Sequence, residues 1–236
     1  MEEDPGVNGV IFDCDGVIAN TSPSNINDVA ESITELRLPN DNNVTENIRK
    51  SWGKPYEEIF KCLGMLYGWN SNQIQQVYLK TLAKPEKIQP VPGMSKFLME
   101  LSQQLPTAIV SNRLKEHGIK LLKQLELDNV PFKVQFRDDY HYHKPDHRCF
   151  GPTINRIIRE QKGLPKNRPI LYLGDTVEND LAPTIEWFPI MIFVAVVSGA
   201  STTEEFLAAG VPPTRIIEGI DAIPEKLPTI IHQFKY

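Results

Sequence analysis

Asp13 and Asp15 stand one residue apart, directly after an apolar run, in Phe12-Asp13-Cys14-Asp15-Gly16. In an extended chain residues i and i+2 share a face, so both carboxylates point the same way. Carboxylates beside a buried strand are costly unless a cation meets them. A second pair closes another apolar run in Gly174-Asp175-Thr176-Val177-Glu178-Asn179-Asp180, where Gly174 permits a tight turn and Asp175 and Asp180 lie across it. Between these pairs come Val110-Ser111-Asn112-Arg113 and His143-Lys144-Pro145-Asp146. Ser111 offers a hydroxyl that either binds an anion beside helix N-terminal amides or simply caps a helix. Lys144 offers an ammonium on a backbone that the following proline confines to extended or turn shapes. Taken singly, each motif has a plain reading as a turn, a cap or a solvated charge. Brought into one crevice, they form a crowd of carboxylates with one hydroxyl and one ammonium. Such oxygen donors suit a hard cation, Mg²⁺ above all. A lysine and a serine beside it suit an anion that shares the cation, and phosphate is the natural one.

The elements that must hold these residues can be traced along the chain. Residues 7–12, 107–110, 169–173 and 190–197 are short apolar runs, rich in β-branched residues and closed by polar turn residues. That is the pattern of buried strands. Helical spacing of apolar residues fills 94–105, 114–127, 149–161 and 202–209. Alternating strands and helices predict an α/β fold, a doubly wound parallel sheet with helices on both faces. In such a sheet ligands bind outside the carboxyl ends of the strands, and each motif above falls at such an end or in a following loop. One block breaks the alternation. From 23 to 87 the pattern is helical throughout, over 25–36, 44–52, 56–67 and 72–83, with Pro39, Gly53, Pro55, Gly64 and Gly68 as breaks. The expected division is an α/β core of residues 1–22 and 89–236 with an inserted all-helical cap of residues 23–88.

On these motifs the chain resembles the haloacid dehalogenase-like hydrolase superfamily. Its four motifs stand in order as Phe-Asp-Cys-Asp-Gly-Val-Ile (12–18), Ile-Val-Ser-Asn (109–112), Lys-Pro-Asp (144–146) and Gly-Asp-Thr-Val-Glu-Asn-Asp (174–180). The resemblance spans nearly the whole chain, and the helical insert is similar to that superfamily's first cap class. It implies that Asp13 is a nucleophile forming an aspartyl-phosphate. It implies that Asp15 protonates the leaving group and then activates water, and that Ser111 and Lys144 hold the phosphoryl group. It further implies that Asp175, Asp13 and the Asp15 backbone carbonyl ligate Mg²⁺, with Asp180 supporting the metal shell and Glu178 competing weakly for that outer role. The dehalogenases of the superfamily lack the second aspartate of the first motif, so Asp15 points to phosphoryl transfer. Asn20-Thr21 departs from the Asp-Ser of many relatives.

The implied activity is a Mg²⁺-dependent phosphatase acting on a small phosphorylated metabolite, with a phosphomutase or a catalytically silent binder as alternatives. Arg49 and Lys54 are candidates for reading the leaving group from the cap, with a solvated loop charge as the plain alternative for Lys54. Asn112 and Arg113 follow Ser111 and are further substrate-binding candidates, although Arg113 could equally cap a helix. His141, His143, His147 and Cys149 cluster in sequence but match no zinc spacing, and loop histidines are the default.

Composition narrows the class. With 25 Lys and Arg against 30 Asp and Glu, the net charge is −5 and no basic run appears, so nucleic acid is not an expected partner. At 236 residues and 41% hydrophobic, the chain can bury a core without staples. Three widely spaced cysteines argue against a disulfide framework and for a reducing compartment. The acidic N-terminus lacks the order of a signal peptide, and the most apolar stretch is too short to span a membrane. A cytoplasmic protein without membrane partners is expected; oligomeric state is left open.

Overall fold

The structure is a computed structural model and describes residues 6–84, 88, 90–160, 168–198 and 200–234, with the side chains of Ser22 and Pro23 set aside. The expectations for the extreme N-terminus, for Gln161 and for part of the second linker (85–87 and 89) lie outside the described residues. Six parallel strands form one sheet: β1 (Gly9–Phe12), β2 (Thr107–Val110), β3 (Lys133–Gln135), β4 (Ile170–Gly174), β5 (Met191–Val196) and β6 (Ile216–Ile217). Their spatial order is β3-β2-β1-β4-β5-β6. The chain therefore winds outward from β1 in both directions, and its switch point lies between β1 and β4. The crevice at such a point is where open α/β sheets bind ligands.

Strand periodicity divides the core in two. Val10 and Phe12 of β1, with Leu171 and Leu173 of β4, pack under α5 (Met94–Gln104), α6 (Lys115–Gln124) and α10 (Ile223–His232). Ile11, Ile170, Tyr172 and Phe193 point the other way, toward α7 (Gly151–Glu160) and α9 (Thr203–Ala208). Burial on both faces explains why these strands read as continuous apolar runs.

The helical pattern of 23–87 becomes α1 (Ser22–Glu35), α2 (Val44–Lys50), α3 (Tyr56–Tyr67) and α4 (Ser71–Leu82). Each break has a local cause. Gly68 ends α3 in the left-handed conformation at φ 71°. Asn70 starts α4 with a capping box closed by Gln73. The four helices bury a cluster of their own, with Ile33, Ile48, Phe60, Leu63 and Val77 at its centre. This block stands over the carboxyl ends of β1 and β2, because its entry follows β1 directly. The short helix α8 (Ala182–Ile185) completes the turn after β4. Among the described residues, no helix is long and apolar enough to cross a membrane.

Candidate active site

The β1–β4 ladder positions the first two carboxylates. Phe12 pairs with Leu173, and the Asp13 N–H donates to the Leu173 carbonyl at 2.8 Å, so the ladder runs one residue past β1. Asp13 and Asp175 thereby leave neighbouring strands side by side. Gly16, at φ 73°, lets the following loop close over them: a Cβ there would lie 1.9 Å from Asp175 Oδ2. After Gly174 the chain makes one π-helical turn, Val177–Leu181, a form often found at functional sites. That turn fans out three consecutive polar side chains, Glu178, Asn179 and Asp180.

Lys144 is the hub. It is 2% exposed, and its Nζ lies 2.8 Å from Asp13 Oδ1 and 2.7 Å from Asp180 Oδ1. Nζ also donates to the Tyr172 hydroxyl at 3.1 Å, and that hydroxyl donates to Asp180 Oδ1 at 2.5 Å. Asp180 Oδ2 accepts from the Thr176 N–H at 3.0 Å and from the Thr176 hydroxyl. Asp180 is thus engaged at both oxygens and fixes the ammonium against Asp13. Asp13 Oδ1 also accepts from the Cys14 N–H at 2.7 Å. Asp175 accepts from Ser198 Oγ at 2.9 Å. Asp13, Asp175 and Asp180 each present a carboxylate oxygen within 4.8 Å of the others. His141, His143, His147 and Cys149 form no comparable group among the described residues.

Asp15 has a separate environment. Arg113 grips it with both arms, Nε to Oδ2 at 2.7 Å and an Nη to Oδ1 at 2.6 Å, and the Thr21 hydroxyl donates to Oδ1. Arg113, expected to bind substrate or cap a helix, is here the partner of a carboxylate. Ser111 is buried at the end of β2, and its Oγ accepts from the Arg113 N–H at 3.1 Å. It does not cap α6, whose N-cap position is Leu114.

Electrostatics separates the carboxylates. Burial pushes Asp13 up more than the Lys144 ammonium pulls it down, and Asp180 and Asp15 add repulsion, leaving its pKa at about 7. Burial, then the charges of Asp180 and Asp13, push Asp175 well above the ordinary carboxylate range. Burial acts upward on Asp15 too, but the Arg113 charge and hydrogen bonds bring it below its ordinary value. Burial alone would lower Lys144, yet Asp13 and Asp180 hold it above the ordinary lysine range. A test follows from the Asp13 value. Between its unfolded value of 3.8 and about 7, the folded state binds the extra proton, so stability falls as pH rises through that window. Asp13→Asn has no such proton to lose. In chelator, its Tm is expected to match the parent's at about pH 4 and to exceed it at about pH 8. A difference independent of pH would contradict the buried, repelled state of this carboxylate.

A cavity of about 380 Å³, toward the small end of metabolite-sized pockets, lies between the sheet ends and the helical block. Asp13, Asp15 and Lys144 line its floor, and Tyr56, Tyr78 and Thr81 line its far wall. The loop 52–54 reaches down to the core at three points. Asn112 Nδ2 donates to the Gly53 carbonyl at 2.9 Å, Asn179 Nδ2 donates to the Trp52 carbonyl at 2.8 Å, and Lys54 Nζ lies 2.7 Å from Glu178 Oε1. Gly53 sits at φ 85° with Asn179 Nδ2 only 2.8 Å from where a Cβ would stand, so this docking requires glycine.

Two expectations are displaced. Arg49 does not line the cavity; it joins Glu46 and Glu205 at 2.9 and 3.0 Å and donates to the Ala200 carbonyl, bracing the helical block on the core. Asn112 lines the cavity, but its amide is spent on tying the Lys144 backbone to Gly53. The Asp15 side chain likewise stands outside the three-carboxylate group, and only its backbone carbonyl was expected to meet a metal. Tyr172, Thr176 and Asn179 were not anticipated. Tyr172 reads as one more apolar strand residue, and nothing in sequence marks its hydroxyl as a partner of Lys144.

Comparison with known proteins agrees with this fold. The family model described as haloacid dehalogenase-like hydrolase matches residues 10–183. No curated protein matches the chain. Among solved structures, a hydrolase from Pseudomonas syringae is similar at 23% identity and TM-score 0.72, covering 94% of this chain and 98% of that one. One named a predicted phosphoglycolate phosphatase, from Haemophilus somnus, is similar at 15% identity and TM-score 0.70, covering 93% and 97%. One designated a β-phosphoglucomutase, from Bacteroides vulgatus, is similar at 15% identity and TM-score 0.70, covering 98% and 91%.

Proposed function

The chain belongs to the haloacid dehalogenase-like hydrolase family, and we propose that within it the protein is a Mg²⁺-dependent phosphatase of a small phosphorylated metabolite. The observation that carries this reading is the Lys144 ammonium wedged between Asp13 and Asp180, with Asp175 alongside. Three buried carboxylates face one buried ammonium, so the group is short of positive charge. A divalent cation with oxygen ligands fits that deficit; Asp13 and Asp175 would supply its side-chain donors, while Asp180, engaged at both oxygens, would support the shell. When bound, Mg²⁺ masks phosphoryl charge and favours in-line displacement.

The protein's own groups do the rest. Asp13 Oδ1 is fixed by Cys14 N–H and Lys144 Nζ, which orients the carboxylate and leaves Oδ2 to attack phosphorus. The new bond joins Asp13 to phosphorus as the bond to the leaving oxygen breaks; that oxygen takes a proton from Asp15, which must first be protonated and shift off Arg113, because in the free protein Arg113 holds it ionised. Water then attacks the same phosphorus, Asp15 takes its proton, and the acyl-phosphate bond breaks to restore Asp13. The ionised form of Asp15 that Arg113 favours is the form this second step needs. Lys144 stabilises charge on the phosphoryl oxygens in a buried, low-dielectric site, where such an interaction is strongest.

The test is phosphate release from a panel of phosphorylated metabolites. Chelation is expected to remove activity and Mg²⁺ to restore it better than Ca²⁺, whose longer bonds and higher coordination number misplace the nucleophile. Equal rates with Ca²⁺ would sink the metal assignment. A phosphomutase reading uses the same carboxylates; turnover to free phosphate without a bisphosphate activator separates the two. Any metal-dependent turnover excludes a silent binder.

A further inference from the structure

We propose that the leaving group taken by this cavity is neutral and polyhydroxylated, a sugar or polyol carrying the phosphate, and not a carboxylate. The inference rests on the phosphatase reading and names its substrate class.

Besides Lys144 and the exposed imidazole of His117, four cationic side chains line the cavity among the described residues: Lys54, Lys84, Arg113 and Arg137. Each already has a carboxylate. Arg113 holds Asp15 through two bonds. Arg137 Nη lies 3.1 Å from Glu57 Oε2, Lys54 lies 2.7 Å from Glu178, and Lys84 lies 2.8 Å from Glu31 and 3.4 Å from Glu35. A carboxylate on the ligand that met one of these four cations would have to take it from its partner. For Arg113 and Arg137 that strands a carboxylate facing the same cavity, since Asp15 and Glu57 both line it. Asp28, 5% exposed in the same wall, adds a further negative charge.

A hydroxyl avoids this cost. It accepts from the cation and donates to the carboxylate of one pair, leaving the pair intact. The wall also carries neutral groups of matching kind. The Tyr78 hydroxyl donates to Glu57 Oε1 at 3.3 Å. Thr81, one helical turn on and 5% exposed, lines the same wall. Asn25, 7% exposed on α1, adds an amide that both donates and accepts.

The test uses two readouts. Calorimetric binding to the Asp13→Asn protein with Mg²⁺ compares glucitol 6-phosphate and erythritol 4-phosphate with 2-phosphoglycolate and 3-phosphoglycerate. Turnover of p-nitrophenyl phosphate by the parent reports the phosphatase chemistry alone. The better polyol phosphate is expected to bind at least about tenfold tighter than either carboxylate. Glu57→Gln, introduced beside Asp13→Asn, leaves Arg137 without its partner and is expected to shift the preference toward the carboxylates by about tenfold. Carboxylates binding as tightly as polyols, or a preference unmoved by Glu57→Gln, would overturn the proposal. Absence of p-nitrophenyl phosphate turnover would sink the phosphatase reading instead, while the binding comparison still decides the class of ligand.

Discussion

Asp13→Asn is expected to lower turnover by on the order of 10⁴-fold or more while leaving the fold intact, because an amide cannot form the acyl-phosphate. Its geometry should survive, since the amide oxygen can still accept from Cys14 N–H and Lys144 Nζ, the two donors that now meet Oδ1. The variant also removes one of three carboxylates that repel each other, so a loss of activity with unchanged or raised Tm is the expected signature. Activity within tenfold of the parent would place the nucleophile elsewhere.

Lys144→Met is expected to harm both stability and catalysis. The side chain is buried and its ammonium is shared by Asp13 and Asp180, so its removal leaves buried carboxylates without their cation. Breaking such a pair from one side costs about 3–5 kcal/mol. The loss should appear in denaturant unfolding at neutral pH in chelator. Asp180→Asn placed on top should recover part of it, because it removes one of the stranded charges, and this non-additivity identifies the pair as coupled. Turnover should fall by about 10²- to 10³-fold or more, the scale of losing one charge-stabilising donor. A variant as stable as the parent, with additive effects of Asp180→Asn, would show that Lys144 does not neutralise these groups.

Much of this arrangement is legible in sequence because buried parallel strands leave a strong pattern. The runs that become β1, β2, β4 and β5 are buried on both faces, so nearly every residue in them is apolar and their polar ends stand out. The four inserted helices are visible because α3 and α4 carry their own caps and breaks, Gly68 and Asn70 among them. β3 and β6 escape for the opposite reason. Lys-Val-Gln and Ile-Ile are three and two residues long, and β3 is an edge strand without full burial, so neither offers a period to read. α10 holds Pro224 near its start and Pro228 inside, two residues that usually argue against a helix.

The site divides along a similar line. Asp13 and Asp175 follow from where β1 and β4 stop, and Asp180 from the turn after β4, whereas Lys144 lies in a loop well past β3 and is marked by its Lys-Pro-Asp motif. Residues whose roles depend on which partner they find carry no such mark. Arg49, Lys54 and Arg113 carry the same charge in sequence, yet one braces the helical block, one pairs with Glu178 and one clamps Asp15. Only the packing of the helical block against the core decides among them. The Asn112 and Asn179 contacts to the 52–53 carbonyls are equally invisible, because any backbone carbonyl could have received those amides.

Asp13 is the residue expected to carry the phosphoryl group. The most direct test quenches the enzyme in acid during turnover, with Mg²⁺ and the best substrate of the panel, and maps its peptides by mass. One added phosphoryl group is expected on the peptide containing Asp13, discharged by hydroxylamine as an acyl-phosphate must be. Phosphoryl found on another residue, or turnover with no phosphorylated peptide and undiminished activity in Asp13→Asn, would contradict it.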